Sequence, residues 1–334
     1  MAQTSYLQKS GLGIMINHAQ KINLILLNIS LLCVLWLKPA VAQKYTAEFL
    51  SIGVGAKALG MGGAYVAIAN DGSAVFWNPA GLAQLPKREI SLMHSSRFSG
   101  LVHANFVSLV LPDKNQNAFG LSYLRIGIED IPKSTKLDQN DRPIIEGYFN
   151  DTEHAVLFSF ARQSTADFYF GANLKTIHQV IGDHSSLGFG LDFGALYKYA
   201  EHLKFGIMLQ DLTGTYVFWD TGKRDIRYPA LQWGVAIGYP VRLLAGKITV
   251  AASQNIRFEG KNVEDAFAIG EIAGSDFLFG AEYILMNSVA LRVGVERSFL
   301  TAGAGFSFGF FEIDYAYVSH DLGNSHRISG RIMF

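Results

Sequence analysis

Cysteine is almost missing from this chain: Cys33 is its single thiol, and it falls in a segment that reads as removable. Without it, disulfides, cysteine-based zinc sites and thiol catalysis are excluded together. Charge excess is missing too, with 28 basic against 28 acidic residues, which argues against a nucleic-acid footprint. After residue 42 no run of eighteen apolar residues occurs, so a helical membrane bundle is excluded. Catalytic and phosphate signatures are lacking as well. There is no HExxH and no GxSxG, the histidines are dispersed, and Lys57 is not followed by Ser or Thr as a P-loop requires. No catalytic residue, metal site or cofactor is therefore expected, nor an enzyme. His320, Asp321 and His326 bracket the last loop and read as solvated residues rather than a metal site. Gly53, Gly55 and Ala58 match a loose GxGxxA dinucleotide pattern with Asp71 downstream, but no βαβ succession follows to support it.

What is present is glycine, aromatics and alternation. The 334 residues hold 34 Gly, 24 Phe and 14 Tyr, with only 17% charged residues. That length admits one large all-β domain or two ordinary ones. The N-terminus reads as an export signal over 1–42. Lys21 precedes an apolar stretch from Ile22 to Leu37, and Ala40-Val41-Ala42 offers a small-x-small cleavage site before Gln43. Met15 is a second candidate start, and the residues before Cys33 do not fit a lipidation site.

Period-two alternation then recurs to the end. Phe168, Phe170, Ala172 and Leu174 oppose Asp167, Tyr169, Gly171, Asn173 and Lys175, and Val289, Leu291, Val293 and Val295 oppose Arg292, Gly294 and Glu296. Each pattern predicts a strand with one apolar and one polar face. Fourteen such strands are expected, near 90–98, 103–111, 117–128, 153–162, 167–180, 185–199, 203–212, 229–239, 246–257, 277–286, 289–296, 300–308, 310–319 and 326–334. The long linkers 129–152, 213–228 and 258–276 all follow odd-numbered strands, while the even-numbered connections are short. That parity predicts an all-β, fourteen-stranded antiparallel transmembrane barrel over 89–334, embedded in outer-membrane lipid of a Gram-negative cell, with its long loops external. Tyrosines near strand ends suit interfacial girdles or a core equally. Inward Asp167, Lys175, Lys204, Arg292, Glu296, Glu312, Asp314, Arg327 and Arg331 suit a hydrated wall of paired charges, or a substrate path. In loop 213–228, Tyr216, Val217, Phe218 and Trp219 form a consecutive apolar run, expected as an exposed contact for a protein or a lipid-like ligand.

The segment 43–88 is different: GVGAKALGMGGAYVAIANDGSAVFWNPAGLA over 53–83 is too rich in glycine for a free helix and too irregular for a strand. The run from Phe49 to Ala64, then Asn70-Asp71 and Trp77-Asn78-Pro79-Ala80-Gly81-Leu82, resembles the N-terminus of the PorV/PorQ family, which is similar in turn to FadL-type fourteen-stranded barrels. The ending Asp314-Tyr315-Ala316-Tyr317, Asp321 to Arg327 and terminal Phe334 fits the same resemblance, and a last alternating strand closing on Phe334 resembles the signal read by the barrel assembly machinery. The resemblance implies that 43–88 folds inward as a hatch, with Gly53, Gly55, Gly60, Gly62, Gly63, Asp71, Trp77, Asn78, Pro79, Ala80 and Gly81 shaping it. Asn78 can close a turn through its side chain, Pro79 fixes φ, and Gly60, Gly62 and Gly63 let the backbone pass near the wall. Two functions follow from it as expectations. One is an accessory of type IX secretion that contacts secreted proteins or the translocon. The other is a FadL-like uptake channel for hydrophobic small molecules such as long-chain fatty acids.

Overall fold

The computed structural model describes residues 47–241, 245–258, 267–269, 273–320 and 323–334. The expected signal segment with Met15 and Cys33, the cleavage site before Gln43, Asp321 and most of the linker 258–276 lie outside the described residues.

Fourteen long strands form the wall, each at an expected position. They are β1 (Glu89–Arg97), β2 (Val102–Pro112), β3 (Asn117–Lys133), β4 (Gly147–Gln163), β5 (Phe168–Ile181), β6 (His184–Ala200) and β7 (Leu203–Gln210). Then follow β8 (Ala230–Val241), β9 (Gly246–Arg257), β10 (Ala273–Leu285), β11 (Val289–Glu296), β12 (Phe299–Phe308), β13 (Phe311–Val318) and β14 (Ser325–Met333). Neighbours pair antiparallel throughout, and β1 pairs with β14 from Glu89↔Met333 to Ser96↔His326, so the sheet closes on itself. Closure leaves no free edge, which is how a sheet satisfies its backbone in lipid. Among the described residues no helix is long and apolar enough to cross a membrane.

Two of the expected loops are sheet rather than coil. The linker after β3 is largely absorbed by longer strands and a small pair, Lys136–Leu137 with Pro143–Ile144. The linker 213–228 is a hairpin, Thr215–Trp219 with Arg224–Arg227, whose first arm pairs with β6 and so prolongs the wall. The ladder is interrupted beneath it. Register runs Gln210↔Ala230 and then Thr215↔Arg227, so residues 211–214 face only 228–229, with Asp211 and Gly214 at φ 53° and 79°.

Alternation sets the two faces as expected along β5, where Tyr169, Asn173 and Lys175 point in and are buried while Phe168 and Leu174 are exposed. Asp167 is a correction: it lies exposed in the β4–β5 turn rather than on the inner face, because the strand begins one residue later.

Candidate functional site in the lumen

Residues 47–85 form short helical turns, Glu48–Ser51, Ala56–Gly60, Ala74–Trp77 and Pro79–Gln84, against inward-facing residues of the wall. Asn78 shows why the chain folds this way locally. Its Oδ1 accepts from Ala80 N at 3.2 Å, Pro79 occupies the first position of the following turn, and its Nδ2 donates to Val66 O at 2.9 Å and to Ala195 O of β6 at 3.0 Å. One buried amide thus closes a turn and ties the segment to the wall. Trp77 donates from Nε1 to Val54 O at 2.8 Å and packs edge-on against Phe76 and Tyr65, fastening the two ends of the segment together.

The wall meets this segment in two ways. On β10 to β12 the contact is backbone to backbone. Gly62 has φ +62°, and a Cβ there would lie 2.7 Å from Val295 N, while a Cβ on Gly294 or Gly280 would strike the Met61 to Gly62 backbone. Thr301 Oγ1 donates to Gly60 O at 3.1 Å. Gly60 and Gly62 lie against the wall backbone, whereas Gly63 and Gly53 make room for the Trp77 ring and Gly55 for Ser73. Gly171 and Gly194 of the wall approach Pro79 and Asn78, and Gly81 abuts Ala69. The sequence pattern puts Gly171 and Gly294 on the inward face of their strands, but does not single out the wall glycines as contacts of the segment.

On β1 to β5 the contact is made by apolar side chains. Met93, Phe106, Leu124, Ile126, Leu157 and Ile177 all point inward and join one apolar cluster with Leu59, Tyr65, Val75 and Leu82 of the segment. A lumen built only to hold water would not line five adjacent strands this way.

Much of the inward charge lies in paired clusters. Arg292 donates to Glu282 at 2.7 Å and to Asp314 at 2.6 Å, and Arg331 pairs with Glu312 and lies 3.7 Å from Glu89. Glu89 in turn accepts from Gly72 N at 2.6 Å. Asp71 accepts from Ser73 N and Oγ and from Tyr65 Oη, and Lys57 Nζ donates to Asn70 at 3.0 Å. Burial raises the Asp71 carboxyl, but Lys57 and Arg331 with the two hydrogen-bonding side chains more than offset it and hold the group below its ordinary value. Burial and the neighbouring Asp71 push the Tyr65 phenol well up. A small cavity beside Asp71, lined also by Gly55, Lys57, Met93, Ser329 and Arg331, has room for about one water.

A second cluster sits at the wall interruption. Lys175 Nζ lies 2.6 Å from Asp192 and 2.5 Å from Asp211, and Arg227 donates to Asp211 at 2.9 Å, to Ala47 O at 2.6 Å and to Ser51 Oγ at 2.9 Å. The interruption is thus bonded to the start of the segment. Two cations stand apart from these pairs. Arg327 is buried with Nε and Nη1 lacking a hydrogen-bond partner, and Arg97, whose Nε is also unmatched, is its same-sign neighbour.

The run Tyr216 to Trp219 is not one exposed patch. As a strand it alternates: Tyr216 and Phe218 face out, Val217 is fully buried, and Trp219 donates from Nε1 to Asp225 at 2.9 Å. Phe334 is exposed, and its N–H bonds Arg88 O across the seam. Near the last loop His320 stacks on Phe299, and among the described residues no group of three metal-ligating side chains occurs.

The model of the uncharacterised protein family UPF0164 matches residues 37–183, short of half the chain. No curated protein matches the chain. Among solved structures the chain is similar to the toluene transporter TodX of P. putida, at 16% identity over 84% of this chain and 99% of that one, TM-score 0.63. It is similar as well to the toluene transporter TbuX of Ralstonia pickettii (15%, 84% and 98%, TM-score 0.60) and to the monoaromatic hydrocarbon channel CymD (14%, 85% and 98%, TM-score 0.61). At such identities the likeness establishes a shared fold. None of these matches speaks for the PorV/PorQ family or for type IX secretion.

Proposed function

We propose that the protein is an outer-membrane channel that takes up small hydrophobic molecules, with residues 43–88 as its hatch. The observation that carries this reading is the apolar inner lane of Met93, Phe106, Leu124, Ile126, Leu157 and Ile177, covered by the segment. A water-filled pore wants polar walls. A lane of side chains that segment motion would uncover offers a hydrophobic solute a path with little desolvation penalty. The likeness in fold to barrels named as toluene transporters and as a monoaromatic hydrocarbon channel supports the same class of cargo. The guanidinium nitrogens without a hydrogen-bond partner, Nε and Nη1 of Arg327 and Nε of Arg97, with Glu296 as their acidic neighbour, suit the carboxylate of an acidic cargo such as a long-chain fatty acid.

The test uses the hatch itself. Ala56 N donates to Ser329 Oγ at 2.8 Å, so the double variant Ala56→Cys with Ser329→Cys puts two thiols at a hatch–wall contact, and the oxidised protein is used once its loss of free thiols confirms the crosslink. Cells carrying it should take up radiolabelled toluene and laurate when reduced and lose that uptake when oxidised. Uptake unaffected by the crosslink would refute the hatch, and no uptake above cells lacking the protein would refute the cargo. Recovery of secreted proteins or a translocon with the purified barrel would favour the secretion role instead.

A further inference from the structure

The outer surface of the barrel is not uniform. Five of the nine histidines, His94, His103, His154, His178 and His326, face outward on the consecutive strands β14, β1, β2, β4 and β5, with Arg125 of β3 between them. Register places them side by side: Ser96 pairs with both His326 and His103, His94 with Asn105, Asn105 with Arg125, Arg125 with His154 and His154 with His178. They interlock as a belt. His94 bonds Asn105 at 2.8 Å and stacks on His103, Tyr123 bonds His154 at 2.7 Å, His154 stacks on His178 at 6.1 Å, and Tyr315 bonds His326 at 2.7 Å.

Directly below the belt the same strands turn apolar on the outside, with Leu92, then Val107 to Leu111, Phe119 and Leu121, Phe158 and Phe160, and Ile328. On β2 and β4 this band is only three outward positions tall, Val107 to Leu111 and Val156 to Phe160, about 13 Å for strands rising ~3.3 Å per residue and tilted ~40°. On the opposite arc the outward positions stay almost wholly apolar for five steps, Leu231 to Tyr239 on β8 and Leu300 to Phe308 on β12, about 23 Å by the same measure. A bilayer matched to the taller arc would drive its acyl chains onto imidazole and guanidinium on the shorter one.

We propose that the belt is a docking site for phosphate-bearing lipid headgroups, which descend along β14 to β5 and thin the leaflet there. The order along each strand, acyl-facing carbon and then hydrogen-bond donors, is the order within a lipid. Arg125 supplies the fixed positive charge, opposed by Glu129 at 3.8 Å. The imidazoles, Tyr123 and Asn105 supply further hydrogen-bonding groups around it, from whose N–H and O–H a phosphate can accept. A solvated polar rim would need no such band below it. The inference rests on membrane insertion and not on the cargo, so loss of transport would leave it standing.

The experiment uses the full barrel refolded into phosphatidylcholine vesicles containing phosphatidic acid, re-extracted in mild detergent and analysed by native mass spectrometry. The wild type should retain phosphatidic acid about tenfold over its bulk share, the yield of one charge-assisted hydrogen bond at the weak end of its range. Arg125→Gln with His154→Gln and His178→Gln should fall to the bulk share while still showing heat-modifiable migration. Arg125→Gln alone, at a partly exposed position, should lose most of the enrichment and guards against misfolding of the triple variant. Equal retention by wild type and variants, no enrichment in the wild type, or a dimer that dissociates on belt substitution would each overturn the proposal.

Discussion

Two arcs of one wall obey the same alternation and do opposite things with it. On β8 to β12 the outside is largely apolar and the inside is mostly glycine, alanine and polar or paired charged residues, with Leu278 an apolar exception, as Leu291, Arg292, Val293 and Gly294 show in succession. In the belt region of β1 to β5 the order inverts: Tyr123 and Arg125 face out while Leu124 and Ile126 face in, and His154 and His178 face out while Leu157 and Ile177 face in. Period two fixes which residues share a face. It does not say which face meets lipid. The inverted arc offers an apolar lane inside and donors outside, whereas the regular arc holds the N-terminal segment by its backbone and leaves its carbon to the membrane.

The largest expected change of structure breaks the regular arc's grip on the segment. Gly294→Val places carbon where the Met61 to Gly62 backbone passes, and neither backbone can yield. The barrel should still close, because Gly294 keeps its ladder partners Gly280 and Thr301. The segment should be expelled, since overpacking of about 1–3 kcal/mol falls wholly on that contact. Trypsin cleavage at Lys57, buried in the native protein, reads the release. Protection equal to wild type would show that the glycine contacts are incidental. On the inverted arc the matching change is Leu124→Ala, which removes carbon instead of adding it. It should cost about 2–4 kcal/mol in reversible urea unfolding from vesicles, and it should leave the segment docked.

A third comparison sharpens the outer faces. An arginine at Leu291, mid-band on the regular arc, should destabilise the barrel by about 2–4 kcal/mol, while His154→Arg on the belt should cost about 0–1 kcal/mol. Similar costs at the two sites would mean that lipid covers both arcs to equal height, and the asymmetry read from the strands would fail.

Much of this was legible before any coordinates. All fourteen strands were, because short apolar alternation and linker parity are local signals that survive errors of a residue or two at each end. The Asn78-Pro79 turn was legible for the same reason, its chemistry being contained in three residues. What escaped is what depends on register between distant strands. Gly280 and Gly294 become a groove only when β10 and β11 stand beside Met61, and five histidines dispersed over 94–326 become one belt only when β14 closes on β1. Tyr216 to Trp219 misleads because four consecutive apolar residues in a linker suggest an exposed loop, where a strand buries alternate members.

The smallest expected effect lies in the network joining the segment to β14. Asp71 is held below its ordinary value, so its share of the docking energy is present above the unfolded carboxylate range and fades only as pH falls through the lower, folded value. Tyr65 is raised, so its share is present below the unfolded phenol range and fades only as pH climbs past the higher, folded value. Both conditions hold from about pH 5 to about pH 9. Trypsin protection at Lys57 should therefore be flat across that window, with loosening below about pH 4. Asp71→Asn should shrink the acid limb, because the carboxylate facing Lys57, Ser73 and Tyr65 is gone, while Glu89 still holds Gly72 N and keeps the turn in place. A loss of protection between pH 5 and pH 8 would assign the titration to another group, and with it would go the idea that the Tyr65 to Arg331 network, rather than the imidazoles outside, governs how the segment is held.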